Sequence, residues 1–245
     1  MQVRKTFLLL LVSLLLAIVL SACGRLEPKV ERAETQIKDQ EKAARLFDRK
    51  KDDAIGSETA GFDGKVIVML GDSLTAGFDL PADQALPAVI ERRLLADGAN
   101  VKVVNAAVSG DTSAGGLGRY KFSVSVHKPD IVAIALGAND FLQSVDPRRT
   151  KSNLEEMIKL AEADGSEVLL IGVGAPSDSR DRRLNEFADI YPSLALKYNL
   201  PLVREMLADV RDRPEYLLAD KTHPNAEGVE LIANPIELEL QRLLN

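Results

Sequence analysis

Apolar residues fall into short unbroken runs along this chain, separated by longer stretches in which apolar and polar positions recur at helical spacing. The clearest run is Val66-Ile67-Val68-Met69-Leu70, which stops at Gly71-Asp72-Ser73. Five consecutive apolar residues without alternation predict a strand covered on both faces, as in a parallel sheet. Similar runs span Val101 to Val104, Ile131 to Leu136 and Val168 to Gly172, with a weaker one at Pro201 to Val203. Between them the spacing predicts helices near 84–97, 113–124, 147–164 and 181–198. A last helix is expected from Asn225 to Leu244, with Pro235 a candidate kink. Asp146-Pro147 reads as a helix start, a capping carboxylate followed by proline in the first turn. This alternation predicts an α/β fold with a parallel sheet and helices on both faces.

The amino-terminal region breaks the rhythm. Arg4 and Lys5 precede an apolar run from Phe7 to Leu20, interrupted only by Ser13 and followed by Ser21-Ala22-Cys23-Gly24. This pattern is that of a secretory signal. Its apolar length of about 14 residues falls short of the roughly 20 needed to cross a bilayer. Leu20-Ser21-Ala22-Cys23 resembles the lipobox of bacterial lipoproteins, which implies removal of residues 1–22 and lipid on the Cys23 sulfur. Such a protein is exported and anchored on a membrane rather than spanning it. An ordinary signal peptide with an incidental cysteine is the alternative. Gly24 after the cysteine resembles the outer-membrane signal of double-membrane bacteria. Residues 23–61 are then expected to form a charged, partly helical tether, with Glu34/Lys38 and Glu41/Arg45 at helix-supporting spacing. Val30, Ala33, Ile37, Ala44 and Phe47 form a stripe too short for a coiled coil. Residues 62–245 carry the folded domain.

Composition narrows the classes. A chain of 245 residues, 46% hydrophobic and 28% charged, can bury a sizeable core. Its formal charge of -6, and the lack of a basic patch with interleaved aromatics, argue against a nucleic-acid partner. Loss of residues 1–22 would take only Arg4 and Lys5 and leave -8. The single cysteine excludes an intramolecular disulfide and any metal site of several thiolates.

Polar residues collect after several of the predicted strands. Ser73 follows the first, Asn105 to Thr112 the second and Gly137-Ala138-Asn139-Asp140 the third. In a parallel sheet these loops share one rim, where ligands of such folds bind. A serine hydroxyl becomes a nucleophile when a base takes its proton, and histidine is the usual base. Of the two histidines, His127 precedes the third strand and belongs to the opposite rim. His223 stands three residues after Asp220, close enough in a turn for the carboxylate to orient the ring while its far nitrogen faces Ser73. Gly110 can bring a backbone N–H close to substrate and Asn139 offers a neutral amide donor, so with the Ser73 N–H they can form an oxyanion hole.

Gly71-Asp72-Ser73-Leu74, Gly110, Gly137-Ala138-Asn139-Asp140 and Asp220-Lys221-Thr222-His223 resemble, in order, the four signature blocks of the GDSL or SGNH hydrolases. Val108 to Ser113 and Asp220 to Asn225 are most similar to the bacterial arylesterase, or multifunctional acyl-CoA thioesterase and lysophospholipase, subgroup. The similarity covers about residues 65–245. It implies a three-layer α/β/α flavodoxin-like fold around a mostly parallel five-stranded sheet. It also implies Ser73 as nucleophile, His223 as general base and acid, Asp220 as its orienter, and Gly110 and Asn139 in the oxyanion hole. No metal or organic cofactor is implied. Ala138 stands where close relatives often have glycine.

The expected activity is therefore hydrolysis of a small acyl ester or thioester through an acyl-enzyme. A carbohydrate O-acetyl esterase is the rival within the same chemistry, and an inactive surface-binding lipoprotein the rival outside it. Taken singly, Asp72 and Ser73 could be helix-capping residues, Asn139 a turn residue, and Asp220 with His223 a surface pair. Asp111 and Asp140 are expected to support loops. Arg180, Arg182 and Arg183 read as a solvated charge run, and Gly77 to Leu80 and Gly174 to Arg183 as substrate walls.

Overall fold

Each of the five apolar runs from Val66 onward forms a strand in the computed structural model, which describes residue 59, residues 61–173 and residues 180–245. The expected leader 1–22, Cys23, nearly all of the 23–61 tether and the wall segment 174–179 lie outside the described residues. The strands are β1 (Lys65–Gly71), β2 (Val101–Asn105), β3 (Ile131–Ala135), β4 (Glu167–Ile171) and β5 (Leu202–Val203). They pair in parallel in the order β2-β1-β3-β4-β5. Ile67 of β1 stands opposite Val103 on one side and Ile131 on the other. The winding direction reverses between β1 and β3, and a crevice opens at the carboxyl ends of strands at such a point.

Helices cover both faces: α1 (Ser73–Ala76), α2 (Leu86–Ala96), α3 (Ser113–Ser123), α4 (Ala138–Leu142), α5 (Pro147–Ala163), α6 (Arg182–Ala188), α7 (Ile190–Tyr198) and α8 (Ala226–Leu244). The alternation of β1 side chains assigns the layers. Ile67 and Met69 pack with Leu86 and Ile90 of α2 and with Ile232 and Ile236 of α8. Val68 and Leu70 pack on the other face with Leu154 and Ile158 of α5 and Leu194 of α7. All four strand residues are fully buried. Two occupied faces are why the run is unbroken, and each such side chain contributes about 1.5–3 kcal/mol by burial.

Local signals act where expected. Asp146 accepts from the Arg148 N–H and Pro147 is the first residue of α5. Asn225 caps α8 by accepting from the Gly228 N–H at 2.9 Å, and the helix runs through Pro235 to Leu244. The expected single helix over 181–198 is two, with Asp189 between α6 and α7. Pro192 lacks the N–H that would bond the Ala188 carbonyl, and its ring crowds that oxygen, so the first helix ends at Ala188. The short helices α1 and α4 fall outside the helices that the spacing predicts, since four or five residues carry no periodic signal; the capping reading of Asp72 is what marks α1. Among the described residues no helix is long and apolar enough to cross a membrane.

Candidate active site

Ser73 is the first residue of α1, directly beyond β1. Asp72 caps that helix, accepting from the Leu74 N–H at 3.1 Å, so the Ser73 hydroxyl is not spent as a cap. It meets His223 instead, with Ser73 Oγ 2.9 Å from His223 Nε2. The other ring nitrogen, Nδ1, lies 2.6 Å from Asp220 Oδ2. Asp220 Oδ1 accepts from the backbone N–H groups of Thr222 at 2.9 Å and His223 at 3.0 Å. The His223 ring first, and these N–H groups next, lower the Asp220 carboxyl to about 2. An ionised carboxylate only accepts, so Nδ1 carries the proton and the Nε2 lone pair faces the serine hydroxyl.

The turn bearing this pair is fixed from both sides. Leu218 N–H donates to His223 O at 2.8 Å, and Asn225 N–H donates to Tyr216 O at 2.9 Å. Phe78 covers the imidazole, its ring centroid 4.3 Å from that of His223 and the planes inclined at 27°. Phe78 sits in a tight turn after α1, between Gly77 and Asp79, both of positive φ, and its N–H donates to Ser73 O at 3.2 Å.

Asn139 arrives from the first turn of α4. Its Nδ2 donates to Asp72 Oδ2 at 3.2 Å and to Asp111 O at 3.0 Å. Burial, opposed chiefly by the Leu74 N–H and also by the Asn139 amide, raises the Asp72 carboxyl to about 6. The backbone freedom of the preceding turn falls on Gly137, with φ of 127°, so Ala138 takes an ordinary helical place. Asp140 supports the loops as expected, accepting from Ser113 N–H at 2.7 Å, Ser113 Oγ at 2.5 Å and Thr150 Oγ1 at 2.9 Å. Gly110 lies at the tip of the loop after β2 with φ of 83°, and a Cβ there would meet nothing within 4 Å.

A cavity of about 570 Å³ joins these groups, with Ser73, Gly110, Asn139 and His223 in its wall. Its remaining lining is mostly apolar and includes Leu74, Phe78, Phe141, Leu142, Leu184 and Leu207. Of the segment Gly77 to Leu80, Phe78 lines the cavity. Arg183 departs from a solvated run: it donates to Phe141 O at 2.5 Å and its guanidinium lies 4.7 Å from the Phe141 ring centroid, bracing the apolar wall. Arg182 pairs with Glu186 in solvent and Arg180 is exposed. Leu207 and Arg211, also at the cavity, come from a turn-rich stretch with no sequence periodicity to mark it. His127 lies in the turn before β3, at the opposite end of the sheet, as its position implied. Among the described residues no cluster of three or more His, Cys, Asp or Glu side chains is arranged to hold a metal.

Residues 69–231 match the GDSL-like lipase/acylhydrolase family. The chain belongs to that family. An arylesterase of Vibrio mimicus is 36% identical to it over 178 residues, which cover 73% of this chain and 89% of the relative. Thioesterase 1/protease 1/lysophospholipase L1 of Escherichia coli is 35% identical over 180 residues, covering 73% and 85%. The crystal structure of TesA superposes with a TM-score of 0.69 at 33% identity, covering 73% of this chain and 99% of that one. As a GDSL-like acylhydrolase the chain is an ester-cleaving enzyme of the serine type, and its parallel five-stranded sheet between helical layers is the fold of that group.

Proposed function

We propose that Ser73 is the nucleophile of an acyl-ester or thioester hydrolase, with His223 its general base and acid and Asp220 the orienter of His223. The observation that carries this reading is the hydrogen-bonded chain from Ser73 through His223 to Asp220 at the mouth of an apolar cavity. Ser73 Oγ attacks the substrate carbonyl carbon as its proton passes to His223 Nε2. The carbonyl oxygen becomes negative and is met by the N–H groups of Ser73 and Gly110 and by the Asn139 amide. Both hydrogens of that amide are engaged in the resting site, and the bond to Asp72 is the longer, so the oxyanion competes for the hydrogen facing Asp72. As the carbon–oxygen or carbon–sulfur bond breaks, His223 gives its proton to the departing alcohol or thiol. Water, deprotonated by His223, then attacks the acyl carbon; as the Ser73 Oγ–acyl bond breaks and the carboxylic acid leaves, His223 returns the proton to Oγ and restores the hydroxyl.

The apolar lining favours an acyl chain over a sugar, which supports the arylesterase, thioesterase and lysophospholipase reading over a carbohydrate O-acetyl esterase. The deciding test is a hydrolysis panel of acetyl to long-chain acyl esters, thioesters, lysophospholipids and acetylated glycans, with Ser73→Ala as control. Acyl esters should be cleaved and the control inert; activity confined to acetylated glycans would reverse the choice.

The sequence from Arg4 to Gly24 supports export and anchoring of the enzyme on a membrane through lipid on Cys23, with residues 23–61 as tether and the enzyme facing the periplasm in a double-membrane bacterium. Cys23→Ser should move the protein from the membrane to the soluble fraction. Retention of the variant on the membrane would overturn the anchor.

A further inference from the structure

Arg119 reaches from the middle of α3 into the backbone that carries the site. Its Nε donates to Asp111 Oδ2 at 2.7 Å, Nη1 to Ala106 O at 2.5 Å and Nη2 to Gly71 O at 3.3 Å. One guanidinium thus ties together the last residue of β1, the start of the loop after β2 and the carboxylate of Asp111. Each tie lies beside a group used in the proposed reaction. Gly71 is two residues before Ser73, Asp111 follows Gly110, and the Asp111 carbonyl accepts from Asn139 Nδ2 at 3.0 Å. The ion pair is largely withdrawn from water, with side-chain exposures of 19% for Arg119 and 12% for Asp111.

The local sequence makes room for this arrangement. A Cβ at Gly115 would collide with the Asp111 carboxylate, so glycine in the first turn of α3 lets that carboxylate lie against the helix. The geometry also requires arginine. Its planar fork donates in several fixed directions at once, whereas a lysine ammonium, a point charge on a flexible stem, would keep the ion pair without holding the two carbonyls in the same frame.

We infer that Arg119 is a positioning residue for the oxyanion donors, holding the Asp111 segment so that the Gly110 N–H and the Asn139 amide keep their spacing from Ser73. The inference rests on the roles proposed above for Gly110 and Asn139. It asks little of Arg119 in binding substrate and much in the transition state. A misplacement of about 1 Å in such a constellation costs on the order of 10²-fold in rate, comparable to loss of one donor.

The test uses the full-length protein and the variants Arg119→Met, Arg119→Lys, Asn139→Ala and the Asn139→Ala/Arg119→Met double. Turnover and KM on an aryl ester are measured together with the inhibition constant of an alkyl boronic acid, whose serine adduct mimics the tetrahedral intermediate, and the thermal midpoint. Arg119→Met should lower kcat about 10- to 100-fold with KM within about twofold, and boronate affinity should fall with kcat/KM. Arg119→Lys should fold like the parent and lose an intermediate factor. In the Asn139→Ala background, Arg119→Met should cost a smaller factor than in the parent. Unchanged kcat in Arg119→Met, a loss that appears in KM, or an equal factor in both backgrounds would overturn the inference. Should Arg119→Met not fold, Arg119→Lys with full kcat and full boronate affinity would overturn it equally. Full turnover in Asn139→Ala would instead remove the oxyanion reading itself, a result separate from failure of Arg119 alone.

Discussion

His223 Nε2 stands 2.9 Å from Ser73 Oγ although 150 residues separate the two in sequence. The sheet provides one partner and the last helix the other. β1 is held between β2 and β3, so its carboxyl end is fixed, and Ser73 follows after a single capping residue. α8 packs on the same face as α2, and the turn leading into it returns Asp220 and His223 to that rim.

Asp220→Asn should lower kcat on the order of 10³–10⁴-fold, because the amide no longer favours the tautomer with its proton on Nδ1. The carboxyl titrates near 2, below its ordinary value, so its contribution to the fold is complete above about pH 4 and fades only as pH falls toward 2. Ester assays and thermal melts from pH 5 to 8 should therefore reveal an activity defect with little dependence of relative stability on pH.

Asp72 behaves in the opposite sense. Burial raises its carboxyl to about 6 in the folded protein, so the fold binds a proton that the unfolded chain has released. Stability should fall as pH rises from about 4 to 6 and level off above, by up to about 3 kcal/mol. Asp72→Asn should abolish that slope. Denaturant titrations at pH 4, 5, 6 and 7 check it, and parallel curves for the two proteins would count against it.

Phe78→Ala removes the ring stacked on His223 and one wall of the cavity. Loss of a stacking interaction of about 0.5–1.5 kcal/mol should lower kcat about 3- to 10-fold. KM for apolar esters should rise as well. Steady-state kinetics on a short and a long acyl ester measure both effects.

Ile236→Ala probes the fold apart from the chemistry. This side chain is fully buried between α8 and the sheet, so truncation should cost about 2–5 kcal/mol in urea denaturation. At 25 °C kcat should stay within about twofold of the parent, provided the variant remains folded.

The strands were legible because β1, β3 and β4 are buried on both faces and so lack polar interruptions. α1 and α4 carry no periodic signal, since each is about one turn long, and the break at Asp189 follows from Pro192, whose effect depends on where the helix starts. Ser73, Asp220 and His223 were readable because each lies in a compact motif at the end of an element. Arg119 left no comparable signal: two of its three partners are the backbone carbonyls of Ala106 and Gly71, which residue types and spacing do not reveal. Phe78 was expected as wall, but its stacking on His223 depends on the left-handed backbone at Gly77 and Asp79.

The most direct measurement of the central claim is covalent labelling with a serine-reactive alkyl phosphonate, followed by mass mapping of the modified peptide. The adduct should reside on Ser73, disappear in Ser73→Ala and form far more slowly in His223→Ala. An adduct on another residue, or equal labelling of the His223→Ala variant, would contradict the assignment of Ser73 as a nucleophile activated by His223.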